Sequence, residues 1–214
     1  MKFIFCLAFF SLFLITINAQ NGFQKEVDEI VKRNDSLWDS SRETIVFTGS
    51  SSIRFWKDVQ ERFPEQHILN SGFGGSQTAD LLYHLESLVL RYKPKKVFVY
   101  EGDNDIFSKK RPKEVIQTIQ TIIQLIKKEN LNTTIILISA KPSIARWRLR
   151  GKYKRLNRKL EKLTLTDANL FYANVWDIML NGRKVKKDIF VNDGLHMNTK
   201  GYELWYQKIK QHID

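Results

Sequence analysis

The chain has 214 residues, of which 43% are hydrophobic and 27% are charged. This length and balance predict one globular domain with a substantial core, and they exclude a disordered or fibrous protein. The formal net charge of +12 favours anionic partners, but it does not choose between nucleic acid, anionic polysaccharide and a membrane surface.

Residues 1–19 predict a secretory signal peptide. Lys2 precedes an almost unbroken apolar run at residues 3 to 15, and Ala19 supplies a small residue at the expected cleavage point. The alternative is an uncleaved anchor, because about 20 apolar residues span a bilayer. No basic cluster follows the run, so we favour cleavage, a secreted or periplasmic location, and residues 20–214 as one domain without a stable membrane anchor. Cleavage removes Cys6, the only cysteine, and with it any disulfide or thiol chemistry.

Apolar patterning in the rest of the chain predicts strands that alternate with helices. Short runs rich in β-branched and aromatic residues predict strands at 44–48, 67–70, 96–100, 134–138 and 170–175. Helical spacing of apolar residues predicts helices at 23–38, 57–63, 78–92, 112–128, 145–163 and 199–213. This alternation favours an α/β fold, with helices on both faces of a five-stranded parallel sheet in the flavodoxin-like order 2-1-3-4-5.

Four loops from distant parts of the chain are expected to share one edge of this sheet. Segments 49–52, 72–75 and 102–105 each follow a strand, and segment 193–196 lies downstream of the fifth strand. In open parallel sheets, ligands bind outside the carboxyl ends of the strands. The sequence therefore predicts a functional site where these loops meet.

Three consecutive serines follow the first predicted strand. Ser50, Ser51 and Ser52 stand where a helix begins, so their hydroxyls are suited to capping its free N–H groups. The same position suits a nucleophile, because the amides at a helix N-terminus favour developing negative charge. Both interpretations stay open on this motif alone.

One loop near the C-terminus carries an aspartate three residues before a histidine. Asp193 and His196 could supply a general base and the carboxylate that orients its ring. The alternative is a turn at Asp193-Gly194 with the histidine exposed in a surface loop. The other histidines, which fall in a predicted strand, in a helix and at the chain end, are poorer bases: His67, His84 and His212. If the serine and histidine loops meet, the pattern indicates a serine hydrolase.

The glycines between residues 72 and 75 lack the spacing of a nucleotide-binding loop, and no Walker lysine accompanies them. A backbone N–H of this loop and the side-chain amide of Asn104 fit better as donors to a substrate oxyanion. The alternative for Asn104 is an Asx-turn after the third strand. Asp103 and Asp105 flank Asn104. No cluster of histidines or carboxylates at metal-ligand spacing accompanies them, so no metal is predicted.

Four blocks resemble, in order, those of the SGNH hydrolase superfamily, the GDSL-type esterases and lipases: Gly49-Ser50-Ser51-Ser52-Ile53, Asn70-Ser71-Gly72-Phe73-Gly74-Gly75, Gly102-Asp103-Asn104-Asp105 and Asp193-Gly194-Leu195-His196. The resemblance spans residues 44–210. It aligns the family's nucleophile with Ser51, and its catalytic aspartate and histidine with Asp193 and His196. Where the family usually has an aspartate before the nucleophile, this chain has Ser50, so the neighbouring serines remain alternatives.

This resemblance implies a three-layer α/β/α sandwich and a shallow, exposed site. It implies an acyl-enzyme on Ser51 and an oxyanion hole formed by the Ser51 N–H, the Gly75 N–H and the Asn104 side chain. No cofactor is expected. The expected substrates are small esters or acylated carbohydrate, with acetyl groups favoured over long acyl chains. The oligomeric state is not indicated by the sequence.

The predicted helix at 145–163 is densely basic. An apolar residue every three or four positions indicates a packed surface helix with a solvated basic side. Aromatic residues among the cations leave nucleic-acid binding as an alternative, although no nucleic acid is expected as the partner of an exported protein. A second overall hypothesis is a non-catalytic module that binds anionic glycan or a membrane surface through this helix.

Overall fold

The computed structural model describes residues 21–213 of the protein. The predicted signal peptide, residues 1–19, lies outside this range, so its cleavage stays a prediction. Within residues 21–213, no helix has the length and apolar character needed to cross a membrane.

A five-stranded parallel sheet forms the centre of the fold. Its strands are β1 (Thr44–Gly49), β2 (His67–Gly72), β3 (Lys96–Tyr100), β4 (Thr134–Ile138) and β5 (Leu170–Ala173). They lie in the order β2-β1-β3-β4-β5, which confirms the predicted α/β class, strand order and parallel pairing. All five positions of β3 are buried, as expected for a strand covered on both faces.

Helices cover both faces of the sheet. In chain order they are α1 (Gln24–Leu37), α2 (Ser51–Arg54), α3 (Val59–Arg62), α4 (Thr78–Tyr83), α5 (Leu85–Leu88), α6 (Asp103–Phe107), α7 (Pro112–Glu129), α8 (Arg150–Thr164) and α9 (Thr199–Ile209). One buried cluster lies under α1, α4, α5, α7 and α8, and the other under α2, α3 and α9. Successive residues of β1 alternate between them, with Val46 in the first and Phe47 in the second. The result is the expected three-layer sandwich.

Two predicted helices differ most from the structure. The helix predicted at 78–92 is divided into α4, α5 and a 3₁₀ turn at Leu90–Tyr92. Leu88 and Val89 are both fully buried, which a continuous helix with one buried stripe does not readily allow. The basic helix begins at Arg150 rather than at residue 145, after a 3₁₀ turn at Trp147–Leu149. A small hairpin, Leu180–Asn181 with Lys184–Val185, was not predicted.

Candidate active site

Ser51 is presented by a sharp turn between β1 and α2. Gly49 has φ +125°, and a Cβ at this position would lie 2.0 Å from the carbonyl oxygen of Tyr100, so the turn accepts only glycine. The Ser50 N–H donates to the same oxygen at 3.1 Å, which ties the turn to the end of β3. Ser51 is then the first residue of α2 and stands at the carboxyl edge of the sheet.

The loop of Asp193 and His196 orients the imidazole ring. One carboxylate oxygen of Asp193 accepts the backbone N–H groups of Leu195 and His196 at 2.8 and 2.9 Å, and the other lies 2.5 Å from His196 Nδ1. Desolvation opposes ionisation, but these hydrogen bonds outweigh it and lower the pKa of Asp193 to about 2. The carboxylate is therefore ionised at any neutral or mildly acidic pH.

The histidine ring connects this loop to the serine. His196 Nε2 lies 3.0 Å from Ser51 Oγ, although the two residues are 145 positions apart in the chain. The edge of the Phe55 ring packs against the imidazole, with centroids 5.0 Å apart. Of the three candidate serines, Ser51 is the one with a described bond to His196, whereas Ser50 and Ser52 are buried. Ser51, His196 and Asp193 thus form one hydrogen-bonded chain.

Two of the three predicted oxyanion donors, Gly75 and Asn104, lie on neighbouring loops. The Asn104 amide nitrogen, near the start of α6, donates to the carbonyl oxygen of Ser76 at 2.8 Å and to Ser50 Oγ at 3.2 Å. Gly75 precedes Ser76 and has φ +76°, and no other heavy atom lies within 4 Å of the place where its Cβ would be. The loop is therefore open at Gly75, beside the Asn104 amide.

A buried charge cluster that sequence reasoning missed lies behind Asn104. Asp103 accepts hydrogen bonds from Arg146 at 2.6 Å, Tyr153 at 2.9 Å and Tyr100 at 3.0 Å, and Lys141 lies 3.4 Å away. Desolvation would raise the pKa of Asp103, but the two cations and the hydrogen bonds outweigh it and lower that pKa. A signal was present in the sequence, because Lys141 follows a buried strand at the functional edge.

Arg146 links this cluster to Asn104. Its Nη1 donates to Asp103 and also to the Asn104 side-chain oxygen at 3.0 Å, which fixes the amide with its NH₂ toward Ser50 and Ser76. Sequence reasoning counted Arg146 among the surface cations of the basic helix. The structure corrects this, because its side chain is 10% exposed and turned inward.

The loop that carries Gly75 is held from two sides. On one side, Glu26 of α1 accepts the Gly74 N–H at 3.0 Å and pairs with Arg54 at 2.9 Å. On the other side, Ser76 Oγ donates to Glu101 at 2.6 Å. Both glutamates therefore limit the movement of the segment between the second strand and α4.

Glu101 is a buried carboxyl that no cation neutralises among the described contacts. Desolvation, with the nearby charge of Asp105, raises the pKa of Glu101 well above its usual range, although the Ser76 hydrogen bond opposes this. Its Oε2 is buried without a hydrogen-bond partner in the described part of the chain. The protonated form is therefore the form that the fold accommodates.

Replacing Glu101 by glutamine is expected to stabilise the protein increasingly as the pH rises. Because the pKa of Glu101 is higher in the folded than in the unfolded state, the wild type loses stability as the pH rises through the folded value. Glutamine keeps an acceptor for Ser76 and has no carboxyl proton to lose. We expect a higher melting temperature at pH 8, by about 2–4 °C per kcal/mol gained, and a smaller difference toward pH 4. The same pH trend in a variant of the exposed Glu86, Glu86→Gln, would contradict this explanation.

The surface around the triad is shallow and partly apolar. Phe55, Ile144 and Val191 are each 40 to 45% exposed. Phe55 packs on His196, Ile144 packs on Gly194, and the Val191 N–H donates to the His196 carbonyl oxygen. A cavity of about 620 Å³ lies between segment 186–189 and α9, but no triad residue lines it. Across residues 21–213, no group of three or more His, Cys, Asp or Glu is arranged to hold a metal ion.

The chain is similar in sequence to known proteins. The model of the GDSL-like Lipase/Acylhydrolase family matches residues 35–204. The chain is 29% identical over 168 residues to the rat platelet-activating factor acetylhydrolase IB subunit alpha2, covering 74% of this chain and 70% of that protein. The human alpha2 subunit is 28% identical over 165 residues, with the same coverage.

Solved structures share the fold. A Streptococcus pneumoniae protein superposes with a TM-score of 0.78 at 24% identity, covering 94% of this chain and 99% of that one. A GDSL-like lipase from Bacteroides thetaiotaomicron gives a TM-score of 0.70 at 21% identity, covering 85% of this chain and 95% of that one. At these identities the structural similarity shows the fold alone.

Proposed function

Because this chain belongs to the GDSL-like lipase/acylhydrolase family and is an ester-hydrolysing enzyme, we propose that it is an exported serine esterase that removes short acyl groups, acetyl above all, from carbohydrate or other small alcohols. The observation that carries the proposal is the hydrogen-bonded chain from Ser51 through His196 to Asp193 at an open edge of the sheet. The proposed export depends on the predicted signal peptide.

In the first half of the reaction, Ser51 Oγ attacks the acyl carbon while His196 Nε2 takes the serine proton. The carbonyl oxygen becomes an oxyanion that accepts hydrogen bonds from the backbone N–H groups of Ser51 and Gly75 and from the Asn104 amide. His196 then gives its proton to the departing alcohol oxygen, the ester bond breaks, and the acyl group stays on Ser51. Asp193 holds the ring with Nδ1 protonated and stabilises the imidazolium.

In the second half, water attacks the acyl-enzyme. His196 takes a proton from the water, the oxyanion forms again at the same donors, and its collapse breaks the bond to Ser51 Oγ. The proton on His196 returns to Ser51 Oγ, and the carboxylic acid leaves. Each half transfers one proton through the same imidazole, so the chain's own residues complete the cycle.

Two observations support a short acyl group. The apolar side chains beside His196 lie at a shallow rim, where a small acyl group finds contact and a long chain would extend into water. The curated relatives described above are named as acetylhydrolases. Family membership also sets aside the alternative of a non-catalytic module, although the basic helix behind that hypothesis remains to be explained.

Hydrolysis of p-nitrophenyl esters from acetate to decanoate tests the proposed acyl preference. We expect kcat/KM to be highest for acetate and to fall about tenfold or more by octanoate, since additional methylenes gain little contact at the shallow rim. The measurement uses residues 20–214, with substrates kept below their critical micelle concentrations. A maximum at octanoate or longer would contradict the short-acyl proposal, and no hydrolysis of any ester by the folded protein would contradict the esterase assignment.

A further inference from the structure

Most of the net charge of the chain is concentrated in one segment. Between residues 146 and 162 there are nine lysines and arginines and a single acid, Glu161. Arg146 is turned inward, and the other eight cations are exposed. In residues 21–213, none of these eight forms an ion pair. Nearby acidic side chains therefore do not neutralise this charge.

The charge pattern of α8 works against the helix. Pairs of cations four residues apart lie on the same side and repel each other, as in Arg155 with Lys159 and Arg158 with Lys162. The first turn contains cations and no acid, which is unfavourable to the helix dipole. Burial of an inner face formed by Tyr153, Leu156, Asn157 and Leu160 holds the helix in place. The exposed cations destabilise the helix that carries them, which points to a functional role for the exposed side.

The basic segment starts at the candidate active site. Arg146 donates to Asn104 at 3.0 Å, and the Ala145 N–H donates to the Gly194 carbonyl oxygen in the loop of the catalytic histidine, also at 3.0 Å. The 3₁₀ turn at Trp147–Leu149 leads directly into α8. A helix of this length extends about 22 Å. The cations therefore form a linear track that leads away from the edge where Ser51 lies.

The features of this face select a kind of polyanion. The exposed positions of α8 carry no large apolar side chain that would enter a bilayer. The aromatic side chains that could stack nucleic-acid bases are engaged within the protein. Tyr153 is 1% exposed, and the half-buried Trp147 ring contacts Trp176 and the Arg150 guanidinium. What remains is a row of cations with one exposed apolar residue, Leu165, at its far end, which suits carboxylates repeated along a flexible chain.

We infer that the basic face, defined as Arg148, Lys152, Arg155, Arg158, Lys159 and Lys162, binds a linear carboxylated polysaccharide. The substrate of the enzyme is then an O-acylated acidic polysaccharide, which is held along α8 while one of its ester groups reaches Ser51. This inference rests on the proposed function for the hydrolytic step, whereas binding by the basic face does not depend on turnover.

The hydrolytic test compares two charge-neutralised variants. One is Arg155→Gln/Lys159→Gln/Lys162→Gln on the basic face. The matched control, Lys25→Gln/Lys32→Gln/Lys208→Gln, removes three charges from α1 and α9. With chemically acetylated polygalacturonate at low salt, we expect KM of the first variant to rise about tenfold, and that of the control to stay near wild type. Roughly 0.5 M NaCl should abolish the difference, because salt screens exposed charges. Acetylated dextran and p-nitrophenyl acetate should be hydrolysed equally by all three proteins.

The binding test uses the Ser51→Ala protein and unacetylated polygalacturonate in titration calorimetry. We expect the association constant to fall about tenfold when the basic-face substitutions are added. It should not change when the control substitutions are added. Binding without hydrolysis of any ester by the wild type would sink the proposed function but support the basic face. Equal binding by both substituted proteins would overturn the inference. Binding to vesicles containing phosphatidylglycerol but not to polygalacturonate would also overturn it, in favour of a membrane surface.

Discussion

Replacing Ser51 by alanine is expected to lower kcat for p-nitrophenyl acetate by about 10³- to 10⁶-fold while the protein stays folded. The substitution removes the oxygen that His196 activates at 3.0 Å, and it leaves the backbone N–H of residue 51 in place. Ser51 is at a solvent-accessible helix start, so little packing is lost. Initial rates, with thermal unfolding to verify folding, measure the effect.

The neighbouring serines provide matched controls. Ser50 accepts a hydrogen bond from Asn104, so Ser50→Ala is expected to reduce kcat far less than the loss of the nucleophile. Ser52 is 3% exposed and has no described bond to His196, so Ser52→Ala should retain most of the activity. An active Ser51→Ala protein together with an inactive Ser52→Ala protein would place the nucleophile one residue later.

Replacing Asp103 by asparagine is expected to destabilise the protein by about 3–5 kcal/mol at pH 7. Asparagine has nearly the same shape, but it leaves the buried cations of Lys141 and Arg146 without their counter-charge. Lys141 is 1% exposed, so water cannot replace the lost carboxylate. Urea unfolding at constant pH measures the change.

The sign of the pH dependence gives a further check on Asp103. The pKa of Asp103 is lowered in the folded state, so its stabilising contribution is present above the unfolded value and is lost as the pH falls through the folded value. The difference between wild type and Asp103→Asn should therefore narrow below about pH 4. Asp188 pairs with Lys200 at an exposed site, so Asp188→Asn should cost no more than about 1 kcal/mol. Equal losses in the two variants would contradict an ionised buried cluster.

The sheet was predictable from sequence because its inner strands β1, β3 and β4 are buried on both faces. Lys96–Tyr100 and Thr134–Ile138 have the bounds that their apolar runs predict, since such runs need no knowledge of distant partners. Helix α6 was not predicted, because its buried positions include Asp103 and Asp105, and charged residues hide the apolar pattern of a helix. Long-range contacts, not local preference, allow those carboxylates to be buried.

The candidate site, like the fold, was predictable only where the signal is local. Ser51, His196, Asp193, Gly75 and Asn104 could be selected because each occurs in a short block that resembles a block of the family. The residues that support them could not, because their contacts join distant parts of the chain. Arg146 meets Asn104 across 42 residues and Glu26 meets Gly74 across 48, and neither pair leaves a local pattern.

Helix α1 lies almost entirely outside the residues that the family model matches. The family match begins at residue 35, near the end of this helix, yet Glu26 fixes the Gly74 N–H and Phe23 packs edge-on against Phe73, with ring centroids 5.2 Å apart. A protein shortened to the matched residues would keep its triad and lose both contacts with the oxyanion loop. The alignment of that loop, and with it the rate of the chemical step, therefore depends on a helix that the family model does not include.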